Sequence, residues 1–197
     1  MARCYSAGMP RRQSDLPHIW LVSDARNDAV LERVLARLPQ GSGLIFRHYH
    51  LSEKQRRARF AALRRLARRR GLIAALSGDV RTARQWGADA AYGDLALTGR
   101  GPALPRLATA HSLREIGRAN RSCAAAVLLS PVFPTRSHPG GRTLGPLRFR
   151  LLAARSLVPV IGLGGMTEAR ARRLKWPRWA AIDGLCDKAK VRIPKDS

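Results

Sequence analysis

With 197 residues, the chain is long enough for one domain with a substantial core and too short for two. The composition is 45% apolar but only 6% aromatic, so Ala, Leu, Val and Ile must fill the core; no apolar run nears the roughly 20 residues of a bilayer span, and three widely spaced cysteines, Cys4, Cys123 and Cys186, argue against a disulfide framework or a zinc ribbon. A formal net charge of +24, from 37 Lys and Arg against 13 Asp and Glu, draws in any anion, whether nucleic acid, a membrane surface or a small phosphorylated substrate, and says nothing of fold.

Residues 1–16 are Arg-rich, acid-poor and without the apolar core of a secretory signal, which predicts a flexible extension on a cytoplasmic protein. Residues 18–23 predict a first strand. Val30, Leu31, Val34, Leu35 and Leu38 then fall at helical intervals over 28–38, and Gly41-Ser42-Gly43 breaks that helix. After a second strand at 43–47, residues 53–70 predict a strongly basic helix whose apolar positions Phe60, Leu63 and Leu66 share one side, so it should lie on the outside. Further strands are predicted at 72–76, 88–92, 107–110, 124–129, 158–163 and 180–185, with helical segments at 82–86, 113–120 and 167–174.

About eight apolar runs separated by helices read as βα units, and strands that are apolar throughout are buried on both faces. The expected fold is an α/β (β/α)8 TIM barrel over residues 17–190, with a C-terminal tail at 191–197. A doubly wound open sheet competes with it, but the turn Asp24-Ala25-Arg26-Asn27 after the first strand has no glycine for a dinucleotide fingerprint.

Two late segments carry the chemistry. Ser130-Pro131-Val132-Phe133-Pro134-Thr135-Arg136-Ser137-His138-Pro139-Gly140-Gly141 follows an apolar strand and offers hydroxyls, amides, Arg136 and His138 as a cradle for phosphate oxygens. Pro159-Val160-Ile161-Gly162-Leu163-Gly164-Gly165-Met166-Thr167 ends a strand on adjacent glycines with a hydroxyl before a helix, where the backbone approaches a ligand closely and late barrel strands hold phosphate. The arginines of the basic helix could instead form an RNA- or DNA-binding face, although no aromatic stacking platform accompanies them. His48 and His50, flanking Tyr49 near a barrel mouth, are read as structural.

In this order the two segments resemble the thiamine phosphate synthase family, which carries a Ser/Gly-Pro-Val-Phe-Pro-Thr loop and a Pro-Val-x-x-x-Gly-Gly strand end; the likeness runs loosely from about residue 18 to residue 185. The resemblance implies a transferase of thiamine biosynthesis that couples hydroxymethylpyrimidine diphosphate to thiazole phosphate and releases pyrophosphate, with magnesium neutralising charge on the leaving oxygens. It places Arg47 at the arginine of the family's Gln-x-Arg-x-Lys strand, Ser112 in its His-Ser pair, and Thr135, Ser137 and Gly165 at phosphate or pyrophosphate contacts. Arg47, Ser130 and His138 are therefore expected to carry the reaction. Arg47, Ser112, Thr135, Arg136, Ser137, Gly164 and Gly165 are expected to hold substrate, and Asp79 and Asp94 the magnesium.

The chain departs from that family at residues the family uses directly. Ile45 and Tyr49 replace the strand's glutamine and lysine, His138 replaces a lysine, and Ser77-Gly78 replaces Asn-Asp, leaving Asp79 one place late and Asp94 about three places early. Asp183 falls where a serine meets the thiazole phosphate. A like charge at roughly 4 Å costs about 4 kcal/mol at an effective dielectric near 20, so Asp183 turns away, is neutralised by Arg or Lys, or marks an altered subsite. Two alternatives stand beside the synthase: a non-catalytic phosphate-ligand-binding or thiazole tautomerase-like paralogue, and a nucleic-acid-binding basic barrel. The tautomerase branch would use His111 or His138, although its histidine falls where this chain has Pro131.

Overall fold

The computed structural model describes residues 16–98, 104–137 and 140–186. The expected extension, apart from Leu16, and the tail lie outside these residues. Eight parallel strands, β1 (Ile19–Val22), β2 (Gly43–Phe46), β3 (Ile73–Ser77), β4 (Ala90–Gly93), β5 (Arg106–Ala110), β6 (Ala126–Leu129), β7 (Val160–Gly162) and β8 (Trp179–Ala181), pair in sequence order and close β8 onto β1. The helices between them are α1 (Leu31–Leu35), α2 (Glu53–Arg69), α3 (Val80–Gln85), α4 (Leu95–Thr98), α5 (Leu113–Arg121), α6 (Gly145–Ala153) and α7 (Glu168–Leu174). The chain is thus a single (β/α)8 barrel.

Strand side chains alternate between two apolar environments, which is why these strands read as unbroken apolar runs. Trp20, Val22, Ile45, Ala75, Leu107, Leu128 and Ile161 fill the barrel, while Leu21, Leu44, Phe46, Val127 and Leu129 point outward to helix residues such as Leu31, Phe60, Ile116 and Phe149. The interior mixes large with small. Ala75, Ala90, Ala126 and Ala180 make room for Trp20, and a Cβ at Gly43, its partner in the β1–β2 register, would sit 2.2 Å from the Trp20 ring.

Several boundaries differ from the sequence reading for local reasons. The helix expected over 28–38 starts earlier, because Asp24 and Asn27 form a capping box that turns Ala25–Val30 into a short 3-10 helix, and α1 then ends at Leu35. The strand expected at 180–185 stops at Ala181, beyond which Cys186 N–H closes a turn onto Asp183 O at 2.8 Å. Helices α4 and α6 were not anticipated. On α6 only Phe149 and Ala153 are buried while Leu147 and Leu151 face solvent, so its apolar residues show no single stripe.

Helix α2 lies outside the barrel as expected, but its arginines are not one solvated face. Arg56 sits 5.4–5.9 Å from the rings of Phe46, Tyr49 and Trp86. Arg59 pairs with Asp28 and Glu32, and Arg64 donates to Gly87 O at 2.7 Å. These three bind the helix to the fold and are withdrawn from any polyanion-binding surface. Among the described residues no helix is long and apolar enough to cross a membrane.

Candidate functional site

The carboxyl ends of the strands open on a cavity of ≈ 980 Å³. Its wall takes Arg47 from beyond β2, Ser77 from β3, Asp94 from beyond β4, His111 from beyond β5, Ser130, Thr135, Arg136, Ser137 and Arg142 from beyond β6, Gly164, Gly165 and Arg170 from beyond β7, and Asp183 from beyond β8. Arg26, which follows β1, reaches the same rim through its contacts with Ser137 and Asp183.

The loops after β6 and β7 are joined along their length. Val132 N–H donates to Leu163 O at 2.9 Å and Phe133 N–H to Gly164 O at 3.1 Å. Gly164 (φ +93) and Gly165 (φ +61) have no space for a side chain: a Cβ would lie 2.7 Å from Pro131 Cα at the first and 2.4 Å from Pro134 O at the second. Among the described residues nothing accepts a hydrogen bond from the amides of these two glycines. Arg170 crosses the seam, donating to Gly165 O while its guanidinium lies 5.1 Å from the Phe133 ring centre.

Asp183 does face the cavity, and its charge is met. Arg26 contacts Asp183 Oδ2 at 3.4 Å, donates to Ser137 Oγ at 2.8 Å, and pairs with Asp24 Oδ1 at 2.9 Å. One guanidinium therefore ties the loops after β1, β6 and β8 together. Partial burial raises the Asp24 carboxyl, but the hydrogen bonds and charge of Arg26 outweigh it and hold the group below its usual range.

Arg47 is held by its backbone. Its N–H donates to Ser23 Oγ and its carbonyl accepts from Arg56 Nε, both at 2.8 Å. Behind Ser23 stands buried His48, with Nδ1 2.8 Å from Ser23 Oγ and Nε2 2.8 Å from Asp28 Oδ1. Desolvation lowers the His48 pKa despite its Asp28 partner, so the ring is neutral at pH 7, accepts from Ser23 and donates to Asp28. The set looks like a Ser-His-Asp nucleophile, but Ser23 is 0% exposed and off the cavity wall, so it can reach no substrate. Its effect is to fix the strand end that presents Arg47 and Tyr49, whose hydroxyl pairs with Ser77 Oγ. Burial pushes the Tyr92 hydroxyl on the cavity floor up to about 12, so it remains a neutral donor.

Replacing His48 with alanine is expected to cost about 2–4 kcal/mol, because it strips partners from buried Ser23 and leaves a void beside Phe46. Urea midpoints read this directly. The pH dependence follows from the lowered His48 pKa: the unfolded chain takes up a proton below about pH 6.5 that the folded ring resists, so the wild type loses stability as pH falls through that value toward the folded pKa. The alanine variant should show a shallower slope there; equal slopes would rule out a desolvated imidazole.

Of the residues singled out in the sequence, Arg47, Ser130, Thr135, Arg136, Ser137, Gly164, Gly165 and Asp94 meet on this one cavity. Two others stand apart from its wall as helix caps. Ser112 caps α5, donating to Glu115 Oε2 at 2.8 Å, and it is His111 that faces the cavity, its Nδ1 2.8 Å from Ser130 O. Asp79 caps α3, with Oδ1 and Oδ2 receiving Thr82 N–H at 2.9 Å and Thr82 Oγ1 at 2.7 Å, hydrogen bonds that lower its pKa. Asp94 caps α4 through Ala96 N–H at 2.8 Å. Among the described residues no three His, Cys, Asp or Glu side chains cluster to hold a metal ion. His138 lies outside the described residues. Arg26, Arg142 and Arg170 went unnoticed in the sequence, and the Ser-x-x-Glu spacing from Ser112 to Glu115 is the signal that could have identified Ser112 as a helix cap.

The family model described as thiamine monophosphate synthase matches residues 19–185. Among curated proteins no sequence matches the chain. Among solved structures, thiamine phosphate pyrophosphorylase from Pyrococcus furiosus superposes with a TM-score of 0.72 at 21% identity, over 87% of each chain. FabK from Thermotoga maritima gives 0.63 at 13%, over 87% of this chain and 59% of its own. Thiamine phosphate pyrophosphorylase from Bacteroides thetaiotaomicron gives 0.59 at 12%, over 91% and 89%. At these identities the structural likeness is one of fold.

Proposed function

We propose, because this chain belongs to the thiamine monophosphate synthase family, that its rim cavity binds phosphorylated pyrimidine and thiazole intermediates and couples them with release of pyrophosphate. The observation that carries the reading is the pair of locked loops, which bring the hydroxyls of Thr135 and Ser137 and the free amides of Gly164 and Gly165 to one wall. Rigid donors on a concave surface suit phosphoryl oxygens, since their orientation is fixed before the ligand arrives. As the bond to a leaving diphosphate breaks, negative charge grows on its oxygens, and Arg47, Arg136 and Arg142 stand on the wall to neutralise it. Ser130, 8% exposed and beside His111, would orient the leaving group.

The test is pyrophosphate release when the purified protein is given hydroxymethylpyrimidine diphosphate and thiazole phosphate together. Release that requires both substrates and disappears in Arg47→Ala supports the synthase. A melting-temperature rise with either compound and no release assigns a binding paralogue instead. One observation favours a second reading, isomerisation of the thiazole phosphate: His111 lies on the wall with Nδ1 committed to Ser130 O, leaving Nε2 as the nitrogen able to exchange a proton with a ligand.

A further inference from the structure

We infer that this cavity takes its anionic ligand without a divalent cation, arginine side chains supplying the positive charge; the inference rests on reading the rim as a phosphate site. A magnesium ion needs near-octahedral oxygen coordination, about six ligands, usually with one or two protein carboxylates among them. Among the described residues the carboxylates on the cavity wall are Asp94 and Asp183. They follow β4 and β8, four strands apart in an eight-stranded closed barrel and so on opposite sides of the mouth. No single ion is shared by both. Asp94 receives the Ala96 amide, and Asp183 is paired with Arg26. Asp79 is off the wall and has both oxygens bonded to Thr82. Among the described residues the wall therefore offers a magnesium ion at most the Asp94 carboxylate, one oxygen of which already receives the Ala96 amide, and this does not fit a site built on paired carboxylates.

The wall residues do fit an anion. Arg47, Arg136, Arg142 and Arg170 line the same cavity, against two carboxylates, one of them already neutralised by Arg26. A guanidinium offers a planar fork of donors that matches phosphate oxygens two at a time and stays charged at every working pH. Arg136 and Arg142 lie on the loop that carries Thr135 and Ser137, so charge and hydroxyl donors converge from one segment.

Calorimetric titration with inorganic pyrophosphate, in EDTA and then in excess magnesium, tests this on the full chain. The expected dissociation constants agree within about threefold, and Arg136→Ala combined with Arg142→Ala weakens binding in EDTA by about tenfold or more. Asp94→Asn keeps the cap and removes a like charge, so it leaves affinity unchanged or raises it. Binding that requires magnesium, or that Asp94→Asn abolishes, overturns the inference while leaving the phosphate reading intact. No binding in either medium overturns both.

Discussion

Gly165→Ala is expected to destabilise the protein by roughly 2–5 kcal/mol and to abolish binding of phosphorylated ligands. Two costs add. An alanine at φ +61 pays about 1–2 kcal/mol for the left-handed backbone alone. Its Cβ would also lie 2.4 Å from Pro134 O and 2.9 Å from Phe133 Cβ, and backbone on the far side of that contact cannot rotate away as the tip of a side chain can. Overpacking of this sort costs about 1–3 kcal/mol more and is relieved by separating the two loops, which is what removes the binding wall. Gly41→Ala is the control, since Gly41 has φ +77 with nothing within 4 Å of its Cβ and so carries the backbone cost alone. Chemical denaturation should separate the variants by about 2 kcal/mol. If Gly165→Ala melts like Gly41→Ala and still binds pyrophosphate, the seam between the loops is not what shapes the site.

The fold was legible because each strand is buried on both faces, so that Ala126-Val127-Leu128-Leu129 or Gly43-Leu44-Ile45-Phe46 stands out as a short apolar block between helices. What escaped was set by contacts that local pattern does not encode. Helix α6 anchors itself through Phe149 and Ala153 while Leu147 and Leu151 face out, which erases the amphipathic stripe. The site divided in the same way. Segments whose function is backbone shape, such as Gly164-Gly165, announced themselves by composition. Residues whose function comes from a distant partner did not: Arg26 meets Ser137 across 111 positions, and Arg56 turns into an aromatic cage from a helix that reads as uniformly basic. Asp79 and Ser112 show the converse. A carboxylate or hydroxyl at the end of a barrel strand is also where the next helix needs its cap, and here the cap takes the side chain.

Arg26→Ala is expected to weaken binding of inorganic pyrophosphate by ten- to a hundredfold, although Arg26 sits behind the wall that meets the ligand. Removing it leaves Asp183 unpaired on that wall and takes the partner from Ser137 Oγ. An uncompensated carboxylate at roughly 4 Å from a phosphoryl oxygen costs about 4 kcal/mol at an effective dielectric near 20. Asp183 is 30% exposed, so solvent and salt reduce that to about 1.5–3 kcal/mol. The helix-dipole contribution from a single terminus, about 0.3–1 kcal/mol, cannot offset it. The loss therefore belongs to the unmasked charge, and it should be recovered when the charge is removed. Arg26→Ala combined with Asp183→Ala is expected to bind within about threefold of the wild type, giving a coupling energy of about 1–3 kcal/mol between the two positions. High salt should narrow the gap between wild type and Arg26→Ala, because the penalty is electrostatic. If the double variant binds as poorly as Arg26→Ala alone, the guanidinium acts by holding the loops after β6 and β8 in place and not by masking Asp183.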